Sequence, residues 1–140
     1  MLSQVSKDTI RLAIHLAVQP SNEYIRIRRI AGEIGMSYYS LAKVAQNLAR
    51  AGVLDSYSGP NGGFRLKESP HNIYLPNMLE AVDGSHNINS CVLGFGLCGE
   101  GNPCPLHDHL KVAREEIMKV FAEKTLAELI GLDDQISQDI

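Results

Sequence analysis

Five residues, Gly59-Pro60-Asn61-Gly62-Gly63, separate two short runs that favour strands, Val53-Leu54-Asp55-Ser56-Tyr57 and Phe64-Arg65-Leu66-Lys67, and no other feature constrains this chain as tightly. Glycine accepts backbone angles closed to other residues and proline pre-sets a turn, so this cluster between strand formers predicts a β-hairpin. Two further glycines punctuate the chain upstream. Gly35 interrupts two helical patterns, and Gly52 stands where a left-handed residue ends the second. The first pattern, from about Arg28 to Ile34, turns Ile30, Ala31 and Ile34 inward. The second follows Ser37, a residue type that caps helices, and runs to about Ala51 with Leu41, Val44, Ala45 and Leu48 on one face.

Nearer the amino terminus, Ile10, Ala13, Ile14 and Ala17 recur at helical spacing until Pro20 and Ser21-Asn22 end the helix, and Tyr24-Ile25-Arg26-Ile27 reads as a short strand. Helix, glycine turn, longer helix and glycine-tipped hairpin is the order of a winged helix-turn-helix. There the longer helix enters the major groove and the hairpin touches the flanking backbone. A small α+β fold with the same element order is the competing reading. On the longer helix, Tyr38, Tyr39, Ser40, Ala42, Lys43, Gln46, Asn47 and Arg50 lie outside the apolar stripe. Tyr39 and Lys43 are four residues apart, hence on one face and able to reach base edges or phosphates, and Arg50 suits a phosphate. The expected DNA-contacting set is Arg28, Ser37, Tyr38, Tyr39, Ser40, Lys43, Arg50, Asn61, Gly62, Gly63 and Arg65. For each of these taken singly, plain solvent exposure is the alternative.

A net charge of −3 argues against nucleic-acid binding only while the 140-residue chain is treated as a whole. Residues 1–70 carry nine lysines and arginines against five acids, a balance of +4, so the remainder carries −7. Phosphate recognition needs a local positive face, and this asymmetry supplies one. No apolar run approaches the roughly 18 residues of a membrane span, and the amino terminus lacks a basic leader with a cleavage site; a cytoplasmic protein is expected. There is no phosphate loop, nucleophile elbow or His-Glu-x-x-His pattern, so catalysis is not expected.

The second half holds all three cysteines, spaced Cys91-x6-Cys98-x5-Cys104 and interleaved with Gly94, Gly96, Gly99, Gly101 and Pro103. Three thiols cannot all pair within one chain, so a ligand role outranks a disulfide framework. Glycine lets backbone N–H groups approach sulfur, as an iron-sulfur cluster requires. Zinc sites more often use cysteine pairs two to four residues apart, which are missing here, and unliganded thiols remain a third reading. Cys104-Pro105 places the last cysteine at a helix cap with His107 one turn in. From about Leu106 to Phe121 the pattern is helical, with Leu110, Ala113, Ile117, Val120 and Phe121 forming a stripe that calls for a partner. A final short helix is expected over Thr125 to Ile130, ahead of the acidic tail Asp133-Asp134-Gln135.

Leu41-Ala42-Lys43-Val44, Leu48-Ala49-Arg50-Ala51-Gly52 and Gly59-Pro60-Asn61-Gly62-Gly63-Phe64-Arg65-Leu66, with the spaced cysteines downstream, resemble the bacterial Rrf2 family of regulators over nearly the whole chain. The resemblance implies a mainly α fold with a small β-hairpin wing, a winged helix-turn-helix plus a long C-terminal dimerisation helix. It implies a DNA-binding homodimer whose operator affinity follows the state of an iron-sulfur cluster. Residues 1–72 would then form the DNA-binding region and 73–140 the cluster loop and dimerisation helix. In one branch of the family a histidine three residues after the last cysteine completes the ligands of a 2Fe-2S cluster, and His107 stands at that spacing. In another branch an amino-terminal acid from the partner subunit serves a 4Fe-4S cluster, which makes Asp8 the weaker alternative, although Lys7 is what aligns with the acidic position. Ser58 departs from the arginine that relatives often carry before the Gly-Pro of the wing.

Overall fold

In the computed structural model, which describes residues 2–20, 23–88, 93 and 105–131, Ser3 opens the first helix by accepting a hydrogen bond from the Ser6 N–H at 3.0 Å. That helix, α1, spans Gln4–Ala17. Its fully buried face is Ser6, Asp8, Thr9, Leu12, Ala13 and Leu16, so the expected stripe of Ile10, Ala13, Ile14 and Ala17 is displaced, and only Ala13 of the four is fully buried. Local bonding explains how polar groups enter that face. Thr9 Oγ1 donates to the Val5 carbonyl at 2.8 Å, and Gln4 Nε2 donates to Asp8 Oδ1 at 2.9 Å, so burial leaves neither group unsatisfied.

Helix α2 covers Ile27–Ile34 and α3 covers Tyr38–Arg50. Gly35 between them has φ +68 and Gly52 beyond α3 has φ +81, the left-handed stops their positions call for. Ser37 occupies the N-cap of α3 without a side-chain cap hydrogen bond, so its backbone takes up the cap conformation while its hydroxyl bonds no α3 amide. Strands β1, Leu54–Tyr57, and β2, Gly63–Leu66, pair antiparallel with Leu54 opposite Leu66 and Tyr57 opposite Gly63. The expected strand at Tyr24-Ile27 shrinks to one bridge: Ile25 and Phe64 exchange both backbone hydrogen bonds at 2.9 Å before α2 begins.

A single-turn 3-10 helix, Pro70–Asn72, leads into α4, Leu75–Ile88, an element the sequence pattern does not announce. Leu75 and Met78 of α4, together with Ile73 and Leu126, join the core built from Leu12, Ile30, Leu41 and Leu48, so packing runs on across residue 72. Helix α5 covers His107–Ala122 with Leu106 as its N-cap; Pro105 and Leu106 form a turn, and the helix begins two residues later than the Cys104-Pro105 pattern predicts. No residue of α5 is fully buried. Residues 126–131 form a last helix, α6. Its start is tied back to the entry of α4, because Leu75 N donates to Lys124 O at 3.0 Å and Leu126 N donates to Ile73 O at 2.8 Å. Cys91, Cys98, Cys104, the Ser21-Asn22 break and the acidic tail at 133–135 lie outside the described residues. Among the described residues, no helix is long and apolar enough to cross a membrane.

Candidate nucleic-acid interface

The 3.6-residue period of α3 divides its side chains. Leu41, Val44, Ala45 and Leu48 are sealed in the core, which leaves Tyr39, Ser40, Lys43, Gln46 and Arg50 exposed, with Tyr38, Ala42 and Asn47 half-buried. Tyr39, at 81% exposure, makes an edge contact with Tyr38 at 5.3 Å between ring centres. An aromatic that exposed at the start of a helix buries almost nothing in the free protein and is available to a ligand. Arg28 of α2 lies over the Tyr38 ring at 4.4 Å, which joins the two helices of the turn on their outer face. Behind them, Glu33 accepts from Arg29 Nε at 2.9 Å and lies 2.7 Å from His15 Nε2 of α1. The Arg29 hydrogen bond, helped by His15, holds the Glu33 carboxyl below the usual carboxylate range.

Between α3 and the hairpin runs a groove of about 260 Å³ whose walls include Arg26, Arg28, Tyr38, Gln46, Tyr57 and Gly62. The hairpin's two faces differ because successive strand residues point to opposite sides. Phe64 faces this groove, whereas Arg65 lines a separate cavity of about 480 Å³ with Leu16, Pro20 and Asp55. There Arg65 lies 4.2 Å over the Tyr24 ring, with Nε 3.8 Å from Asp55 Oδ2. The structure therefore brings Arg28, Tyr38 and the wing glycines to one groove and places Arg65 on the other face of the hairpin. Ser37 and Asn61 are exposed, Gly62 is buried and Gly63 half-buried. The two glycines shape the wing: a Cβ on Gly62 would stand 2.2 Å from the Tyr57 carbonyl oxygen.

Sequence reasoning missed Arg26. The pattern around it reads as a short strand, yet its guanidinium reaches the tip of the hairpin, where Nη2 donates to the Gly59 carbonyl at 3.4 Å and to the Pro60 carbonyl. No spacing rule links positions 26 and 60; the Ile25–Phe64 bridge brings them together.

Of the residues expected to hold a cluster, two are described. His107 is the first residue of α5 and half-buried. Asp8 is 7% exposed and hydrogen-bonded by Gln4, while its neighbour Lys7 is exposed.

An exposed polar helix after a glycine turn, flanked by a hairpin that forms a groove against it, defines a winged helix-turn-helix protein. The family profile described as Iron-dependent Transcriptional regulator, Rrf2, matches residues 2–131. The chain belongs to the Rrf2 family of transcriptional regulators. It is 26% identical to the HTH-type transcriptional regulator NsrR of Halalkalibacterium halodurans, over 96% of this chain and 93% of that one. It is also 26% identical to the regulator IscR of Vibrio parahaemolyticus, over 92% of this chain and 76% of that one. Among solved structures, CymR, the global cysteine regulator of B. subtilis, superposes with a TM-score of 0.75 at 20% identity, covering 94% of this chain and 97% of that one. T. potens IscR superposes with a TM-score of 0.72 at 19% identity, covering all of this chain and 91% of that one.

Proposed function

We propose that this Rrf2 regulator is a cytoplasmic repressor that binds an operator as a homodimer, and that an iron-sulfur cluster sensing redox state, nitric oxide or iron-sulfur supply sets its affinity. The observation that carries the DNA half is the shared outer face of α2, α3 and the wing, where Arg28, Tyr38, Ala42 and Gln46 line the groove and Tyr39 and Lys43 stand exposed on the next positions of α3. Tyr39, Ser40 and Lys43 would meet base edges, while Arg28, Ser37, Arg50 and Asn61 serve the backbone and Gly62 and Gly63 shape the wing; Arg65, on the far face of the hairpin, is held by Tyr24 and Asp55. A division of labour at about residue 72 follows, with recognition before it and sensing after it. Replacing Lys43 by Ala is expected to weaken binding by about 1–3 kcal/mol and relax base preference, whereas Arg50→Ala should reduce the salt slope by about 1. The probe is a duplex enriched by the wild-type protein from a randomised pool, titrated by fluorescence anisotropy. Unchanged binding by both variants would overturn the docking arrangement.

Homodimerisation is supported by α5, on which Ile117 and Val120 are 41% and 59% exposed although they belong to its apolar stripe. Such a face is costly to leave in water, and a twofold partner covers it while pairing two recognition helices.

For the cluster, the donor chemistry supports the reading: three thiolates and an imidazole in one glycine-rich segment are a soft set that suits iron and sulfide. When bound, the group supplies a redox- and nitric-oxide-reactive centre. The chain's own part is positional. His107 begins α5, so constraining it together with Cys91, Cys98 and Cys104 would set the start of the dimer helix and bias the separation of two recognition helices. Burial of Asp8 and its bond from Gln4 favour His107 over Asp8 as fourth ligand, and a 2Fe-2S over a 4Fe-4S cluster. Anaerobically purified protein is expected to carry iron, sulfide and visible absorption. Cys91→Ala, Cys98→Ala and Cys104→Ala should each abolish them without unfolding the winged domain, and His107→Ala should leave a labile cluster, while Asp8→Ala should leave it intact. A colourless, iron-free protein would point instead to sensing by thiol oxidation or a protein partner, and bound zinc to a zinc-stabilised module. Equal duplex affinities of holo and apo protein at fixed salt would show that the cluster does not regulate binding.

A further inference from the structure

Arg26 is attached at both ends. Its backbone is the N-cap of α2, where its carbonyl accepts from Arg29 N at 3.1 Å and Ile30 N at 3.2 Å. The preceding residue, Ile25, is bonded to Phe64 in both directions. The backbones are so close that a Cβ on Gly63 would stand 2.8 Å from Arg26 N. From this fixed base the side chain crosses to the hairpin tip and donates through Nη2 to the carbonyls of Gly59 and Pro60. No salt bridge among the described residues engages Arg26, so its charge is available to an incoming anion.

Resting on the DNA-binding reading above, we infer that Arg26 is a positioning residue for DNA. It holds the wing tip in a fixed place relative to α2 and α3, so that a backbone segment leaving the major groove meets the tip without the wing having to order itself first. The physical argument is preorganisation. A five-residue glycine and proline tip has few conformations that match a DNA strand, and only two hydrogen-bond acceptors at its apex are needed to select one of them. A guanidinium suits this because its fan of N–H donors can serve two carbonyls from one nitrogen and leave the others pointing outward. Arg26 and Arg28 lie two residues apart at the start of α2 and divide the work: Arg28 stacks on Tyr38 of α3, and Arg26 reaches the wing. The mouth of the groove is thereby held from both sides.

The test uses the full-length protein and the enriched duplex. Arg26→Ala should lower affinity about tenfold, the scale of a lost charge-assisted hydrogen bond, and Arg26→Lys should restore most of it. The discriminating readout is a double-mutant cycle with Asn61, an exposed residue of the tip. If Arg26 acts through the tip, Asn61→Ala weakens binding in the wild type but not in the Arg26→Ala background. Amide exchange gives a second readout free of DNA. The Gly62 N–H, bonded to Gly59 O at 3.0 Å, should exchange faster in Arg26→Ala. Additive losses in the cycle, or unchanged affinity and exchange in Arg26→Ala while Lys43→Ala still weakens binding, would overturn the inference alone. Loss of the Lys43→Ala effect as well would instead remove the DNA-binding reading on which it rests.

Discussion

Replacing Gly63 by alanine is expected to destabilise the protein by roughly 3 kcal/mol and to lower its melting temperature by about 10 °C. Two costs combine. The backbone at Gly63 has φ +149, a region that side chains rarely enter, and the new Cβ would lie 2.3 Å from the Ile25 carbonyl oxygen. Either strain alone can be relaxed by shifting the chain, but here the shift must break the paired hydrogen bonds between Ile25 and Phe64. Those bonds are what join the wing to α2, so DNA binding should fall together with stability. Gly32→Ala is the internal control: nothing lies within 4 Å of its added Cβ, and alanine is the better helix former. Thermal melts of the two variants read the difference directly, and equal melting temperatures would show that the wing is not held to α2 as described.

Placing a charge on the exposed stripe of α5, as Ile117→Glu or Val120→Glu, is expected to convert the proposed dimer to a monomer and reduce duplex affinity by about 10²–10⁴-fold, the gain that linking two half-site readers provides. The fold itself should survive, because α5 contributes no fully buried side chain to the core. Sedimentation equilibrium gives the mass, and a melt confirms folding. Variants that remain dimeric, or a monomer that binds as tightly as the wild type, would place the dimer contact elsewhere or remove its role in recognition.

The parts of this structure legible in the sequence are those decided within a few residues. Gly35 and Gly52 mark helix ends because the left-handed conformation is a local demand, and the apolar stripe of α3 is read correctly because all four of its inward residues are aliphatic. The stripe of α1 is misread because half of its buried face is polar, Ser6, Asp8 and Thr9, with Asp8 and Thr9 satisfied by hydrogen bonds that composition does not reveal. Helix α4 escapes notice for a related reason. Pro76 and Gly84 are poor helix formers, and the buried residues described for it, Leu75, Met78 and Leu79, sit in its first turns. In the candidate site, Lys43 and Tyr39 follow from position on a helix, whereas the part played by Arg26 depends on a backbone bridge across nearly forty residues of sequence. Arg65 shows the converse: strand alternation puts it on the hairpin face opposite Phe64, a parity that depends on where β2 begins.

The two hydrogen bonds between residues 73–75 and 124–126 close the chain on itself, with Leu126 buried in the same core as Leu12 and Met78. The chain's return after α5 is thus fastened to the segment from which α4 starts. A segment closed at its base in this way can change in length without disturbing the contacts there, since each doubling of a closed loop costs only about 0.6 kcal/mol of closure entropy. What lies between the two ends can therefore differ in length and chemistry while the helix-turn-helix and its wing keep one shape.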